Sequence, residues 1–297
     1  MVHTPLTPFG ADGRVDFDRY ATLLDFHLRN GADALAVPMH AGESVSLPDE
    51  EKRELIRFTI KHAEGRAPVI AHVSDAGTGI AAALARFAQQ SGAAAIVATT
   101  PYYWTPPPAM IVEHFAQIGS TVTLPFFVLN APADMAGSKI NATLALKLVE
   151  RLPNFAGVVD DSLDWQFMIE LLTEVPQVRR DFRLLAGSEL VVSAASIGAR
   201  GMVSALAVIA PKLVRRLFDD CRAEKFFEAR ALQEDAAALR QILKPAGVAA
   251  LKAASRIMGR DCGTPRPPLL PLDAAAEKKL AAQLEALSAL AEESRGW

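Results

Sequence analysis

Two histidines, His40 and His72, close the apolar runs AVPMH and VIAH, and two aspartates, Asp160 and Asp161, close a third run, FAGVVDD. Imidazole is the side chain whose charge changes nearest neutral pH, so a histidine beside a carboxylate can act as a general acid–base pair. Neighbouring strand ends in a sheet lie about 5 Å apart, which lets the two imidazoles face one another. The same set offers donors for a divalent metal. The plainest reading is that both imidazoles only fill space. No H-x-H or H-E-x-x-H spacing is present, so no metal is assigned.

Other polar residues sit in the same loops. Glu43 and Ser44, in GES, are expected to hold the loop after the second run, with a direct role in chemistry the lesser reading. Asn130 is expected to fix backbone in LNAP. Ser188 and Ser204 either line a pocket or form turns beside glycines. Trp104, in TPYYW, offers an aromatic wall for a ligand or an interface.

These residues need elements to position them. Strand-like runs fall at 2–6, 34–39, 68–73, 94–100, 125–130, 155–160, 182–187 and 201–206, and amphipathic stretches such as AAALARFAQQSG separate them. The runs are continuously apolar rather than alternating, as in parallel strands covered on both faces. Gly31, Gly92 and Gly198 stand where helices should stop. Eight βα repeats predict a TIM (β/α)8 barrel, with an open doubly wound sheet as the alternative. The barrel is expected over 1–222. The remainder, 223–297, reads as C-terminal helices packed on it, with the Pro-rich TPRPPLLPL as a connector.

The chain of 297 residues is 51% hydrophobic and 22% charged, enough to bury a large core. Its 31 basic and 34 acidic residues are interspersed, which argues against nucleic acid or a membrane surface as partner. No apolar run is long enough to span a bilayer and no leader pattern opens the sequence, so a cytoplasmic protein is expected. Cys221 and Cys262 suggest neither a disulfide framework nor a zinc site.

TPF (7–9), DG (12–13), VDF (15–17), GES (42–44) with LPDEEKREL, TPYY (100–103), LNAP (129–132), GARGMVS (198–204), APKL (210–213) and RPPLLPL (266–272) occur in order along the chain. On these motifs the sequence resembles the dihydrodipicolinate synthase / N-acetylneuraminate lyase family over nearly its whole length. The resemblance implies a TIM barrel with appended helices, assembled as a homodimer or homotetramer, and class I aldolase chemistry without a cofactor. In that chemistry a lysine at the end of the sixth strand forms a Schiff base with a 2-oxo acid.

Val159 stands where the family lysine is expected. Leu129 occupies the place of a proton-relaying tyrosine, and His40 and Ala41 replace two threonines. Asp134 takes the place of an arginine that grips a carboxylate. Tyr103, the second tyrosine of TPYY, is retained, and the family uses it across the tight dimer. If Val159 inherits the lysine's inward direction, Asp161 also points inward and Asp160 outward. Lys139 is the nearest conceivable substitute nucleophile. The expectation is a family homologue that keeps a small-molecule pocket but is neither an authentic dihydrodipicolinate synthase nor a pyruvate aldolase. One alternative is a non-catalytic metabolite-binding or regulatory protein. Another is a lyase or hydrolase using His40 and His72 in acid–base or metal chemistry. With Asp134 in place of arginine, a neutral or cationic ligand is expected over an anionic 2-oxo acid.

Overall fold

The computed structural model describes residues 1–131, 138–187 and 190–297. Eight strands are present: β1 (Val2–His3), β2 (Ala34–Val37), β3 (Val69–His72), β4 (Ala95–Thr99), β5 (Phe126–Asn130), β6 (Phe155–Asp160), β7 (Arg183–Gly187) and β8 (Gly201–Ser204). All pair in parallel in sequence order, and β1 pairs with β8, so the sheet closes. That closure selects the TIM barrel over the open sheet. Some strands are shorter than the apolar runs because proline carries no N–H for the ladder; β1 stops short of Pro5 and β2 at Pro38.

The helices α1 (Phe17–Arg29), α2 (Asp49–Ala63), α3 (Thr78–Ser91), α4 (Pro108–Ser120), α5 (Ala142–Arg151), α6 (Trp165–Val178), α7 (Val191–Ser196) and α8 (Pro211–Arg222) follow the strands in turn. Gly31, Gly92 and Gly198 take positive φ beyond α1, α3 and α7, as their helix-stopping role requires. Three more helices complete the chain: α9 (Phe226–Leu243), α10 (Gly247–Ile257) and α11 (Ala274–Glu285). Among the described residues no helix is long and apolar enough to cross a membrane.

The strands are buried on both faces. Outward residues such as Val73, Ala98, Val128 and Val158 pack with the helices. Inward residues, including Val2, Ala36, Val97 and Val159, form a separate cluster inside the barrel. Helix α9 packs on α7 and α8, and α10 reaches the 3-10 turn His40–Gly42 that follows β2. The C-terminal helices therefore cover the end of the barrel where the strands finish.

A candidate ligand site at the mouth of the barrel

Val159 is level with Leu129 on β5 and Leu185 on β7, near the C-terminal end of the barrel. Above it lies a cavity of about 160 Å³, mostly apolar, lined from the barrel by Thr4, Met39, His40, Leu129, Val159 and Asp161 among others. Arg240 and Leu243 of α9 and Val248 and Leu251 of α10 supply the facing wall. No lysine is among the lining residues described.

Val159 and Asp161 both line this cavity, as strand alternation requires. Asp160 is turned the other way and is buried. Asn130 Nδ2 donates to Asp160 Oδ1 (2.7 Å), as does Ser162 Oγ (2.9 Å), while Asn130 Oδ1 accepts from the Ile140 N–H (3.2 Å). Burial pushes the Asp160 carboxyl pKa up, and the bonds from Asn130 and Ser162 pull against it. Asn130 thus ties the end of β5 to the end of β6 and to the segment entering α5. The Asp161 carboxylate lies against Gly187 of β7, where a Cβ would overlap its Oδ1. A side chain at that position would have to displace the Asp161 carboxylate.

The two histidines part company. His40 is exposed at the cavity rim. His72 has the parity of Ile70, which packs with the inner cluster, yet it is not a lining residue. Its Nε2 lies 2.7 Å from Ser74 Oγ, and that oxygen accepts the Thr99 N–H at 2.8 Å. The Pro38 carbonyl accepts a further bond from the ring, which leaves Nε2 as the acceptor of the serine proton. Burial lowers the His72 pKa to about 4; the Pro38 bond opposes this, and Lys52 and His40 add smaller downward pushes. His72 is therefore neutral near pH 7 and fully engaged by backbone and serine.

Glu43 and Ser44 are both buried beneath the loop after β2. Glu43 Oε1 stands 2.7 Å from Lys252 Nζ on α10, with both side chains almost wholly excluded from solvent. Its Oε2 accepts the Arg266 N–H at 2.7 Å, and Lys252 also donates to the Thr264 carbonyl (3.1 Å) and lies over the Phe9 ring. Burial lowers the Lys252 pKa, against the attraction of Glu43. This pair clamps the C-terminal helices to the barrel mouth.

Ser204 is buried on β8, its Oγ without a hydrogen-bond partner among the described residues, and it does not line the cavity. Tyr103 is 98% exposed at a positive φ, and Trp104 beside it is half exposed. Ser188 and Asp134 lie outside the described residues. Lys139 is not among the lining residues. Among the described residues no three His, Cys, Asp or Glu are grouped so as to hold a metal ion.

Sequence reasoning missed Arg240 and the α10 wall. One signal for Arg240 was present: it stands four residues after Ala236 and next to Leu239, both buried, so it flanks the apolar stripe of α9. Nothing local in the sequence tells that this stripe's edge meets the barrel mouth.

A closed (β/α)8 barrel with a small, largely apolar cavity over its strand ends, walled by appended helices, places the protein among the TIM barrels with C-terminal helices. The family model described as the dihydrodipicolinate synthetase family matches residues 1–287, and the chain belongs to that family. It is 30% identical over 269 residues to the 4-hydroxy-tetrahydrodipicolinate synthase of Bacillus subtilis (strain 168), covering 90% of this chain and 91% of that one. The synthase of Azoarcus sp. (strain BH72) is 33% identical over 269 residues, covering 90% of each. Among solved structures, YagE, a prophage protein of the dihydrodipicolinic acid synthase family from E. coli K12 in complex with pyruvate, superimposes with a TM-score of 0.90. The two are 27% identical, with 96% of this chain and 97% of that one covered. Dihydrodipicolinate synthase from Aquifex aeolicus matches equally well, with a TM-score of 0.90, 27% identity and 96% of each chain covered.

Proposed function

We propose that this chain is a family member that binds a small molecule at the barrel mouth but does not form the pyruvate Schiff base expected of the family. The observation that carries this reading is the cavity itself. Val159 sits in its lining between Leu129 and Leu185, and no lysine is among the lining residues described. An imine needs an unprotonated amine in reach of the carbonyl carbon, and valine offers no nucleophile.

If the protein is catalytic, His40 and Asp161 are its acid–base groups, because both line the cavity and His72 does not. If it is not, the cavity serves a metabolite-binding or regulatory role. The exposed Tyr103 and Trp104 support assembly with further copies of the chain, because the family uses that tyrosine across its tight dimer.

Borohydride reduction of the purified protein with pyruvate, read by intact mass, tests the reading. The expected result is no reduced pyruvyl adduct on wild type, and an adduct on Val159→Lys, whose amine would stand among apolar side chains that favour its neutral form. An adduct on wild type refutes the proposal, and peptide mapping would then name the lysine responsible.

A further inference from the structure

A second cavity, of about 830 Å³, opens at the other end of the barrel, where β1, β7 and β8 begin. Four arginines line it: Arg180 just beyond α6, Arg183 at the start of β7, Arg200 just before β8 and Arg222 at the end of α8. All four are exposed, none is ion-paired among the described residues, and Glu224 is the one acid in the described lining. Arg183 donates to the Arg180 and Phe182 carbonyls (3.3 and 3.0 Å), and the Arg222 guanidinium lies 5.9 Å from the centre of the Phe218 ring. The side chains of Arg180 and Arg200 make no hydrogen bond or ion pair among the described residues. The neighbouring Arg179 differs: it donates to the carbonyls of Val149, Leu152, Pro153 and Phe155 and does not line the cavity.

Two ordinary accounts of these arginines fall short. A helix C-terminus attracts cations, which explains Arg222 in the last turn of α8, but the last turns of α6 and α7 carry no basic residue. A solvated basic face stands on open surface, whereas this one surrounds a recess whose floor includes the partly exposed Leu172, Leu185 and Ile197. Four guanidinium groups gathered without counter-charge repel one another, in a chain whose net charge is −3. We infer that this cavity is a second ligand site, for a phosphorylated organic molecule of nucleotide size. The arginines grip its phosphates, and its apolar or aromatic body rests on the floor. The planar fork of arginine matches phosphate oxygens two at a time and stays charged at any physiological pH. A volume of about 830 Å³ falls within the roughly 300–1,000 Å³ of small-molecule pockets, and the apolar floor favours a ligand with a body over a bare anion. The linings of the two cavities share no residue, so this site does not depend on what the mouth binds.

The test is calorimetric titration of the purified protein, at fixed low ionic strength and without divalent metal, with three probes. These are ATP, inorganic triphosphate, which lacks the body, and adenosine, which lacks the phosphates. Wild type is expected to bind ATP at least about tenfold more tightly than either, the scale of one charge-assisted hydrogen bond. Replacing both Arg180→Gln and Arg200→Gln should weaken ATP and triphosphate by at least about tenfold and leave adenosine unchanged. Arg180→Lys with Arg200→Lys, which keeps the charge but not the fork, should recover part of the loss and serves if the glutamine variant folds poorly. Arg14→Gln removes an exposed arginine outside both cavities and should leave ATP binding as it is. The inference is overturned if wild type binds ATP no more tightly than triphosphate or adenosine, or if none of the three binds. It is equally overturned if the glutamine variant binds ATP as wild type does, or if Arg14→Gln weakens ATP as much as that variant. None of those outcomes touches the Schiff-base proposal, which fails only on a pyruvate adduct.

Discussion

Replacing Glu43 by glutamine keeps the side chain's shape and its acceptor for the Arg266 N–H but removes the charge that faces Lys252. The ion pair is closed to solvent on both sides, with 1% of the lysine side chain and 0% of the glutamate side chain exposed. Exposed pairs contribute about 0–1 kcal/mol, but removing one partner of a buried pair costs about 3–5 kcal/mol because the other charge is left uncompensated. Among the described residues Lys252 would retain the Thr264 carbonyl and the face of Phe9. Its pKa is already lowered by burial, so it escapes part of the cost by giving up its proton. For a chain of this length each kcal/mol moves the midpoint by roughly 2 °C, so Glu43→Gln should melt about 6–10 °C below wild type. Adding Lys252→Met removes the stranded charge and should recover most of the loss. Calorimetric melts of the four proteins complete the cycle. The reasoning fails if Glu43→Gln stays within about 1 kcal/mol of wild type, or if the double variant is no better than the single ones. Because α10 supplies Val248 and Leu251 to the cavity, ligand binding should weaken along with stability.

Acid sensitivity offers a second check. The folded His72 pKa of about 4 lies below its unfolded value near 6.5, so the unfolded chain binds the extra proton. Its contribution is whole above pH 6.5 and declines by up to about 1.4 kcal/mol per pH unit as pH falls toward 4. Urea unfolding between pH 5 and 6.5 should therefore show a shallower pH slope for His72→Asn than for wild type; an unchanged slope counts against a buried, neutral imidazole at this position. The Asp160 carboxyl has the opposite sense, since its raised pKa makes the folded state hold the proton longer, and stability declines as pH rises through that window. Asp160→Asn should thus be neutral or stabilising at pH 7. Asn130→Ala, which removes a donor from the same carboxylate, should cost about 1–3 kcal/mol, and equal melting of the two variants would contradict this.

Some of the site was legible because it depends on alternation and strand order alone. Val159 and Asp161 share a face, and Asp160 takes the other, because successive residues of a strand point to opposite sides. The turn chemistry at Gly92 is likewise local. His72 illustrates where such reasoning stops. Its type and place at a strand end made it a candidate, but its ring is claimed by Ser74 from the same strand end and by Pro38 from the neighbouring strand. Choosing between a reactive imidazole and an engaged one required the distances.

Sequence alone determined the eight repeats, the barrel, the family resemblance and the valine at the sixth strand's end, because each is written in the order and period of nearby residues. The tertiary structure alone decided what covers the mouth. Glu43 meets Lys252 across more than two hundred residues of chain, and Arg240 reaches the same cavity as Asp161, because the helices after the barrel fold back over the strand ends. Such pairings are set by packing between distant surfaces, and no local pattern of residue types specifies which two surfaces meet.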